Sequence, residues 1–285
     1  MEIRCRRIGE SDLSQIADLL ARGFPVRKRN YWVTGLARLS ARGAIRDYPK
    51  YGYLIEKDKT IAGVMLTIFS EYGRGAASHI RCNLSSWHVS PDLKAYAPMM
   101  VSAAIRHKDV TYLNVSPAPH TRPIIEAQGF LRFCEGQVIA VPIISRPVEK
   151  ARVLRFDPAH ECASALSLEE RELMMDHAKQ GCVVLMCAYK EEVYPFIFIP
   201  RTRLRGKIPC LHLAFCRRIE DFVRFAGPLG RGLLRFGQCF IVIDSNGPVK
   251  GLPGRYFSGL GPKYFKGPTQ PALGDLSYTE GVYFQ

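Results

Sequence analysis

The chain has 285 residues, of which 47% are hydrophobic, 11% aromatic and 23% charged; it is too apolar for disorder, and its length suits two domains better than one. Forty Lys and Arg against 26 Asp and Glu leave a formal charge of +14, so the surface attracts anions such as a phosphorylated cofactor, nucleic acid, an acidic sugar chain or an anionic membrane. The longest strongly apolar run, Ile61 to Phe69, falls far short of the roughly 20 residues of a membrane helix.

Ile3 to Ile8 alternates apolar and basic residues and reads as a half-exposed strand. Asp12 with Gln15 can cap a helix carrying Leu13, Ile16, Ala17, Leu19 and Leu20, and Tyr31, Trp32, Leu36 and Leu39 suggest a second helix. Tyr51 to Glu56 and Ile61 to Ser70 flank the turn Lys57-Asp58-Lys59-Thr60 as a hairpin. A loop with Gly73 and Gly75 leads to a third run, Ile80 to Val89. Pro91 and Asp92 end that strand and open a helix with Leu93, Tyr96, Met99, Met100, Ala103 and Ala104 inward. A strand at Thr111 to Ser116, a short helix at Thr121 to Gln128 stopped by Gly129, and a strand at Leu131 to Val141 complete the series.

This order, together with Ile124-Ile125-Glu126-Ala127-Gln128-Gly129-Phe130, resembles the GNAT acetyltransferase superfamily over about Met1 to Pro142. The resemblance implies an α/β fold, a mixed sheet flanked by helices of the acyl-CoA N-acyltransferase type. It also implies acetyl-CoA or another acyl-CoA as co-substrate, direct attack on the thioester by an amine or hydroxyl acceptor, and no metal. The fourth strand would then hold the pantetheine arm along Trp87 and Val89, with the Val89 N–H as oxyanion donor and His88 as a base. Asn114 and Ser116, beside His120, would lie at the mouth of the site. Lys94, Ala95 and Tyr96 would meet the pyrophosphate, although Asp92 to Ala97 holds one cation and no Gly where relatives are rich in Gly and Arg. Ile125 stands where many relatives carry a proton-donating Tyr. These two departures keep a second reading open, a catalytically inactive binding or interaction module.

The second half repeats the style. Ser167 with Glu170 forms a capping box for a helix ending at Gly181, and strands follow at Cys182 to Tyr189, Val193 to Ile199 and Ile208 to Cys216. A helical segment starts at Ile219, and Phe240 to Asp244 reads as a buried strand. Laying Leu84 to Pro117 over Leu213 to Asn246 needs no gap and puts Asp92 on Asp221 and Tyr112-Leu113 on Ile241-Val242. Two tandem GNAT-like domains, 1–148 and 149–285, are therefore expected, the second degenerate. Gly230-Arg231-Gly232 has the flavour of a pyrophosphate loop, so Arg231 is a further phosphate candidate, against a plain break between two short helices.

Gly251 to Gly267, with aromatics and cations among Gly and Pro, reads as a connector, and Glu280 to Gln285 resembles a protease-tag scar set aside from the functional argument. Nine Cys without a C-x-x-C pair argue against zinc or a disulfide framework, and Glu2 opens a charged rather than a secretory start. A cytoplasmic protein is expected. The clusters Arg27-Lys28-Arg29, Arg201 to Arg205 and Arg217-Arg218 read as solvated surface, and the absence of a recognisable nucleic-acid module makes that partner the least favoured.

Overall fold

The computed structural model describes residues 2–73, 78–146, 150–203 and 208–285. Expectations that fall on Gly75, on Leu204 and Arg205, and on the boundary between Val148 and Glu149 lie outside the described residues. The chain divides into two units, one holding Met1–Leu131, Tyr264–Gln270 and Tyr278–Gln285, the other Arg132–Lys263 and Pro271–Ser277.

Unit 1 contains β1 (Ile3–Arg7), α1 (Leu13–Gly23), α2 (Arg29–Ser40), β2 (Gly52–Lys57), β3 (Thr60–Tyr72), β4 (His79–Val89), α3 (Ala97–Ala104), β5 (Val110–Asn114) and α4 (Arg122–Ala127). Its sheet runs β1-β2-β3-β4-β5 and ends on the last residues of β12 (Gly254–Lys266). Tyr264, Phe265 and Lys266 pair antiparallel with Asn114, Leu113 and Tyr112. One face of the sheet packs Ile80, Cys82 and Leu84 of β4 against Leu93, Met100 and Ala104. Strand alternation sends Arg81, Asn83 and Ser85 to the opposite face, against which α1 lies, with α2 packed on α1; Ile16, Leu20, Leu36 and Leu39 of these helices are buried.

Local details depart from the sequence expectation. The Asp12 carboxylate accepts the Gly9 N–H at 2.8 Å and two Arg6 bonds at 2.7 and 2.9 Å instead of capping α1. Pro91 to Tyr96 form a 3-10 turn, so α3 begins only at Ala97, and Met99 is exposed.

Unit 2 contains β6 (Leu131–Ala140), which starts at the unit 1 boundary, then β7 (Arg152–Arg155), α5 (Leu168–Lys179), β8 (Val183–Tyr189), β9 (Glu192–Arg203), β10 (Ile208–Phe215), α6 (Ile219–Arg224), α7 (Ala226–Leu234) and β11 (Ile241–Ser245). Its strands lie in the order β6-β11-β10-β9-β8-β7. Phe196, Phe198, Phe222, Phe225 and Leu229 form the centre of its core. The capping box of α5 is present, with Glu170 N–H donating to Ser167 Oγ at 3.1 Å and Ser167 N–H to Glu170 Oε2 at 3.0 Å.

The gapless overlay recurs as sheet register. Cys82 pairs with Tyr112 and Asn83 with Leu113 in unit 1, and when the overlay is carried two residues further toward the amino end, beyond the bounds the sequence suggested, the corresponding residues pair as Leu211 with Ile241 and His212 with Val242 in unit 2.

Two expectations are corrected. Gly254 to Lys266 is a strand rather than a connector, and its last three residues pair with β5, partners far away in sequence that local pattern does not show. The segment set aside as a scar forms α8 (Glu280–Tyr283), with Val282, Tyr283 and Phe284 at 0%, 2% and 3% exposure.

Candidate functional site

β4 has eleven residues and β5 five. Their parallel pairing runs from Ile80 and Val110 to Asn83 and Leu113. Beyond that point β4 continues to Val89 whereas β5 ends at Asn114, and among the described residues no strand takes up the freed β4 edge. A wedge opens between the two strands. Asn83, 1% exposed, sits at its vertex and donates from Nδ2 to the carbonyls of Leu84 at 3.2 Å and Leu113 at 3.3 Å.

Along the wedge the β3–β4 register slips between Val64 and Leu66, and Ser86 takes φ +52°, a left-handed conformation costing a non-Gly residue on the order of 1 kcal/mol. This bulge re-aims the end of β4. Ser90 N–H donates to the Ala62 carbonyl at 2.8 Å, so alternation turns the Val89 N–H away from β3 and toward the wedge. Trp87 packs with the α3-side core, and its indole N–H is buried without an acceptor. Such an orphan donor costs about 1–3 kcal/mol.

His88 lies on the other face, beside α1. A Cβ on Gly23 would meet His88 Nδ1 at 2.4 Å, and the Phe24 and His88 rings are 6.1 Å apart. Burial, with a smaller effect from Arg22, lowers the His88 pKa, which keeps the imidazole neutral.

Ser85 on β4 and Ser116 just past β5 reach the same acceptor, the Glu280 carboxylate, while the Glu280 N–H donates to Asn83 Oδ1 at 2.6 Å. Downstream of Glu280, Phe284 packs against Trp32 with ring centroids 5.6 Å apart, and a Cβ on Gly35 would meet its ring at 2.0 Å. Tyr31 Oη donates to the Phe284 carbonyl at 3.2 Å and Arg38 to that of Tyr283 at 3.0 Å. The wedge thus gathers Asn83, Ser85, Trp87, Val89, Asn114 and Ser116, with Glu280 as a member that sequence reasoning excluded. The signal available for it was the apolar triplet Val282-Tyr283-Phe284 beside an acid, too short to rank above a tag.

Lys94 and Ala95 are exposed and Tyr96 half-buried in the 3-10 turn after β4, where backbone N–H groups precede α3. Ile125 is 3% exposed in the α3-side core and has no route to a thiolate. Arg231 stands exposed in the last turn of α7, whose first turn is Ala226 to Leu229. The helix break falls at Phe225, so Arg231 is on the opposite end from the N–H groups that bind phosphate.

In unit 2, β10 and β11 also part after a short parallel pairing. Here the chain fills the opening itself. Leu276 N–H donates to the Ala214 carbonyl at 2.7 Å, Cys216 N–H to the Gly274 carbonyl at 3.0 Å, and Phe215 bridges to Asp275. On the face away from α7, Asp244 receives Lys263 Nζ at 2.7 Å, Gln137 Nε2 at 3.0 Å and contacts His212 Nε2 at 3.2 Å. Burial opposes the Asp244 charge, but Lys263 and His212 outweigh it and hold the pKa well below the carboxylate range.

The basic clusters are partly engaged on the surface. Arg27 lies over the Tyr31 ring at 4.5 Å, Arg29 pairs with Asp18, Arg217 with Glu170 at 2.6 Å and Arg218 with Asp221 at 3.5 Å. All nine cysteines are free thiols. Among the described residues no helix is long and apolar enough to cross a membrane.

No protein-family model matches the sequence, and no curated protein matches it. Solved structures do. The GCN5-related N-acetyltransferase from Kribbella flavida is 12% identical with a TM-score of 0.58, covering 93% of this chain and 70% of that one. The GCN5-related N-acetyltransferase from Anabaena variabilis is 10% identical with a TM-score of 0.56, at 93% and 72% coverage. A putative acetyltransferase from Pyrococcus horikoshii is 9% identical with a TM-score of 0.56, at 97% and 93% coverage. Likeness at this level of identity speaks for architecture alone. The chain has the fold of the GCN5-related N-acetyltransferases.

Proposed function

We propose that unit 1 binds an acyl-coenzyme A in the β4–β5 wedge and transfers its acyl group to an amine or hydroxyl acceptor. The observation that carries this reading is the parting of β4 and β5 immediately after Asn83 and Leu113. A pantetheine arm needs main-chain partners, and only an unpaired strand edge offers them. The neighbours are named as acetyltransferases, and one more, yeast N-myristoyltransferase with bound myristoyl-CoA, is 8% identical with a TM-score of 0.50.

The thioester supplies the activated acyl group. Val89 N–H points into the wedge and donates to the oxygen that gains charge during attack. Trp87 N–H donates to the arm, and the backbone N–H groups before α3, with Lys94 beside them, meet the phosphates. Neutral His88 orients or relays protons on the α1 side. With Ile125 in the core, the departing sulfur takes its proton from the acceptor or from water.

The filled opening of unit 2 supports a non-catalytic role for that half, with Arg231 as a surface cation. A cytoplasmic setting agrees with nine free thiols.

Titration calorimetry with acetyl-CoA and longer acyl-CoAs, paired with Trp87→Phe, tests the proposal. Saturable binding, weakened by the loss of the Trp87 N–H, and slow thioester cleavage are expected. No heat with any acyl-CoA refutes it and leaves the binding-module reading.

A further inference from the structure

Unit 2 presents to solvent a cluster of apolar and basic side chains that its own fold leaves uncovered. α7 ends at Leu234, and the chain turns back into β11 through residues 235–240. Leu234, Phe236 and Phe240 are 41%, 39% and 38% exposed. The turn is nevertheless held at both ends. Phe236 N–H donates to the Leu233 carbonyl at 2.9 Å, Gly237 N–H to that of Leu234 at 2.8 Å, and Leu211 N–H to that of Phe240 at 3.0 Å. A Cβ on Gly237 would meet nothing within 4 Å, so the tip of the turn projects into solvent. The 3-10 turn Pro142–Ile144 lies against α7, where a Cβ on Gly230 would meet the Ile143 N at 2.3 Å, and exposed Ile144 widens the apolar area.

The charge beside this surface has one sign. Arg231, Leu234 and Arg235 stand at i, i+3 and i+4 and share a helix face, and both arginines are exposed. Residues 222–243 carry three Arg and no Asp or Glu. Apolar groups that a fixed backbone keeps in water mark a contact surface, and the arginines make its partner anionic. A single-stranded nucleic acid asks for rings along a groove of cations, whereas here aliphatic and aromatic groups share a projecting turn. That shape suits a lipid interface, into which apolar side chains sink by about 5–10 Å while cations stay at the headgroups.

We propose that the 234–240 turn is a membrane-surface anchor: Leu234, Phe236 and Phe240 enter the interface of an anionic bilayer, and Arg231 and Arg235 bind its lipid phosphates. The inference does not depend on the acyl-transfer reading, and it gives the half with the filled strand opening a role of its own. A short wedge with two cations binds reversibly, so the protein exchanges between solution and surface.

Full-length protein is sedimented with vesicles of equal parts phosphatidylglycerol and phosphatidylcholine, and with vesicles of phosphatidylcholine alone. Wild type should partition at least about tenfold better onto the anionic vesicles. A chain of charge +14 is drawn to any anionic surface, so the deciding variants separate the turn from bulk charge. Phe236→Ser with Phe240→Ser leaves the charge unchanged and should lose about tenfold. Arg231→Gln with Arg235→Gln should lose about as much, and the same charge removed from unit 1 by Lys59→Gln with Lys108→Gln, both exposed, less than about twofold. Phe236→Trp, which keeps an aromatic ring at the tip, should gain a blue shift on anionic vesicles beyond any shown by wild type. Equal losses from the two charge pairs, full binding by the double Ser variant, or an unshifted Phe236→Trp spectrum overturns the inference. So does a wild type that binds neither vesicle. The inference also fails if the double Ser variant loses only self-association, or only retention of single-stranded RNA, which would assign the turn to a second copy or to nucleic acid.

Discussion

Replacing Phe284 by Ala removes a ring that is 3% exposed and lies 5.6 Å from Trp32, 6.0 Å from Tyr31 and against the bare backbone of Gly35. Deleting a buried Phe costs about 3–5 kcal/mol, the transfer of the lost carbons plus the cavity left behind. If the segment detaches instead of tolerating the cavity, the burial of Val282 and Tyr283 is lost too, at about 1.5–3 kcal/mol each. Either outcome exposes Trp32. The chain has two Trp, so Trp87→Phe leaves Trp32 as the single emitter. Urea unfolding followed by fluorescence then reads stability and docking together. A red-shifted native emission and an unfolding free energy lowered by about 3–5 kcal/mol are expected. An unshifted spectrum with a loss under about 1 kcal/mol would mean that residues 278–285 are not part of unit 1.

Lys263→Met should cost unit 2 about 3–5 kcal/mol by leaving Asp244 buried without its main cation, and adding Asp244→Asn should recover most of it; equal unfolding midpoints for wild type and single mutant would contradict this. Val89→Pro removes an N–H that points away from β3, so the β3–β4 ladder should survive while turnover falls by about 10²–10³-fold. Unchanged thiol release in that variant would remove Val89 as oxyanion donor. The depressed His88 pKa means that the unfolded chain binds the proton first, so its stabilising contribution is complete above about pH 6.5 and is lost as pH falls toward the folded value. His88→Asn should flatten that part of the stability curve in urea titrations, and an unaltered slope would refute the assignment.

Unit 1 was legible where periodicity carries the information. The β2–β3 hairpin, β4 with its stop at Pro91, and the Gly129 end of α4 all follow from local pattern, and Gly129 takes φ +81°. The gapless overlay matched Tyr112-Leu113 with Ile241-Val242, and the same offset carried two residues further reaches their strand partners. Val89 was singled out by the family resemblance, and Asn114 and Ser116 by their place at the end of a strand; periodicity named none of them. What failed was non-local. β12 carries Gly254, Gly259, Gly261 and Pro262, which read as loop, and Gly259 and Gly261 do adopt positive φ within it; the partners of its last three residues, Asn114, Leu113 and Tyr112, lie about 150 positions earlier. Glu280 was missed for the same reason, since its partners Asn83, Ser85 and Ser116 lie in the first half of the sequence.

The last strand of unit 1 and the residues that anchor Glu280 come from 264–270 and 278–285, more than a hundred positions after Leu131. During synthesis the amino-terminal sheet must therefore wait with its β5 edge bare while all of Arg132–Lys263 is made, a long closure that slows folding and leaves a strand edge open to strangers. The half that begins first matures last, so a chain stalled or cleaved before Tyr264 should surface as aggregate rather than as a working fragment.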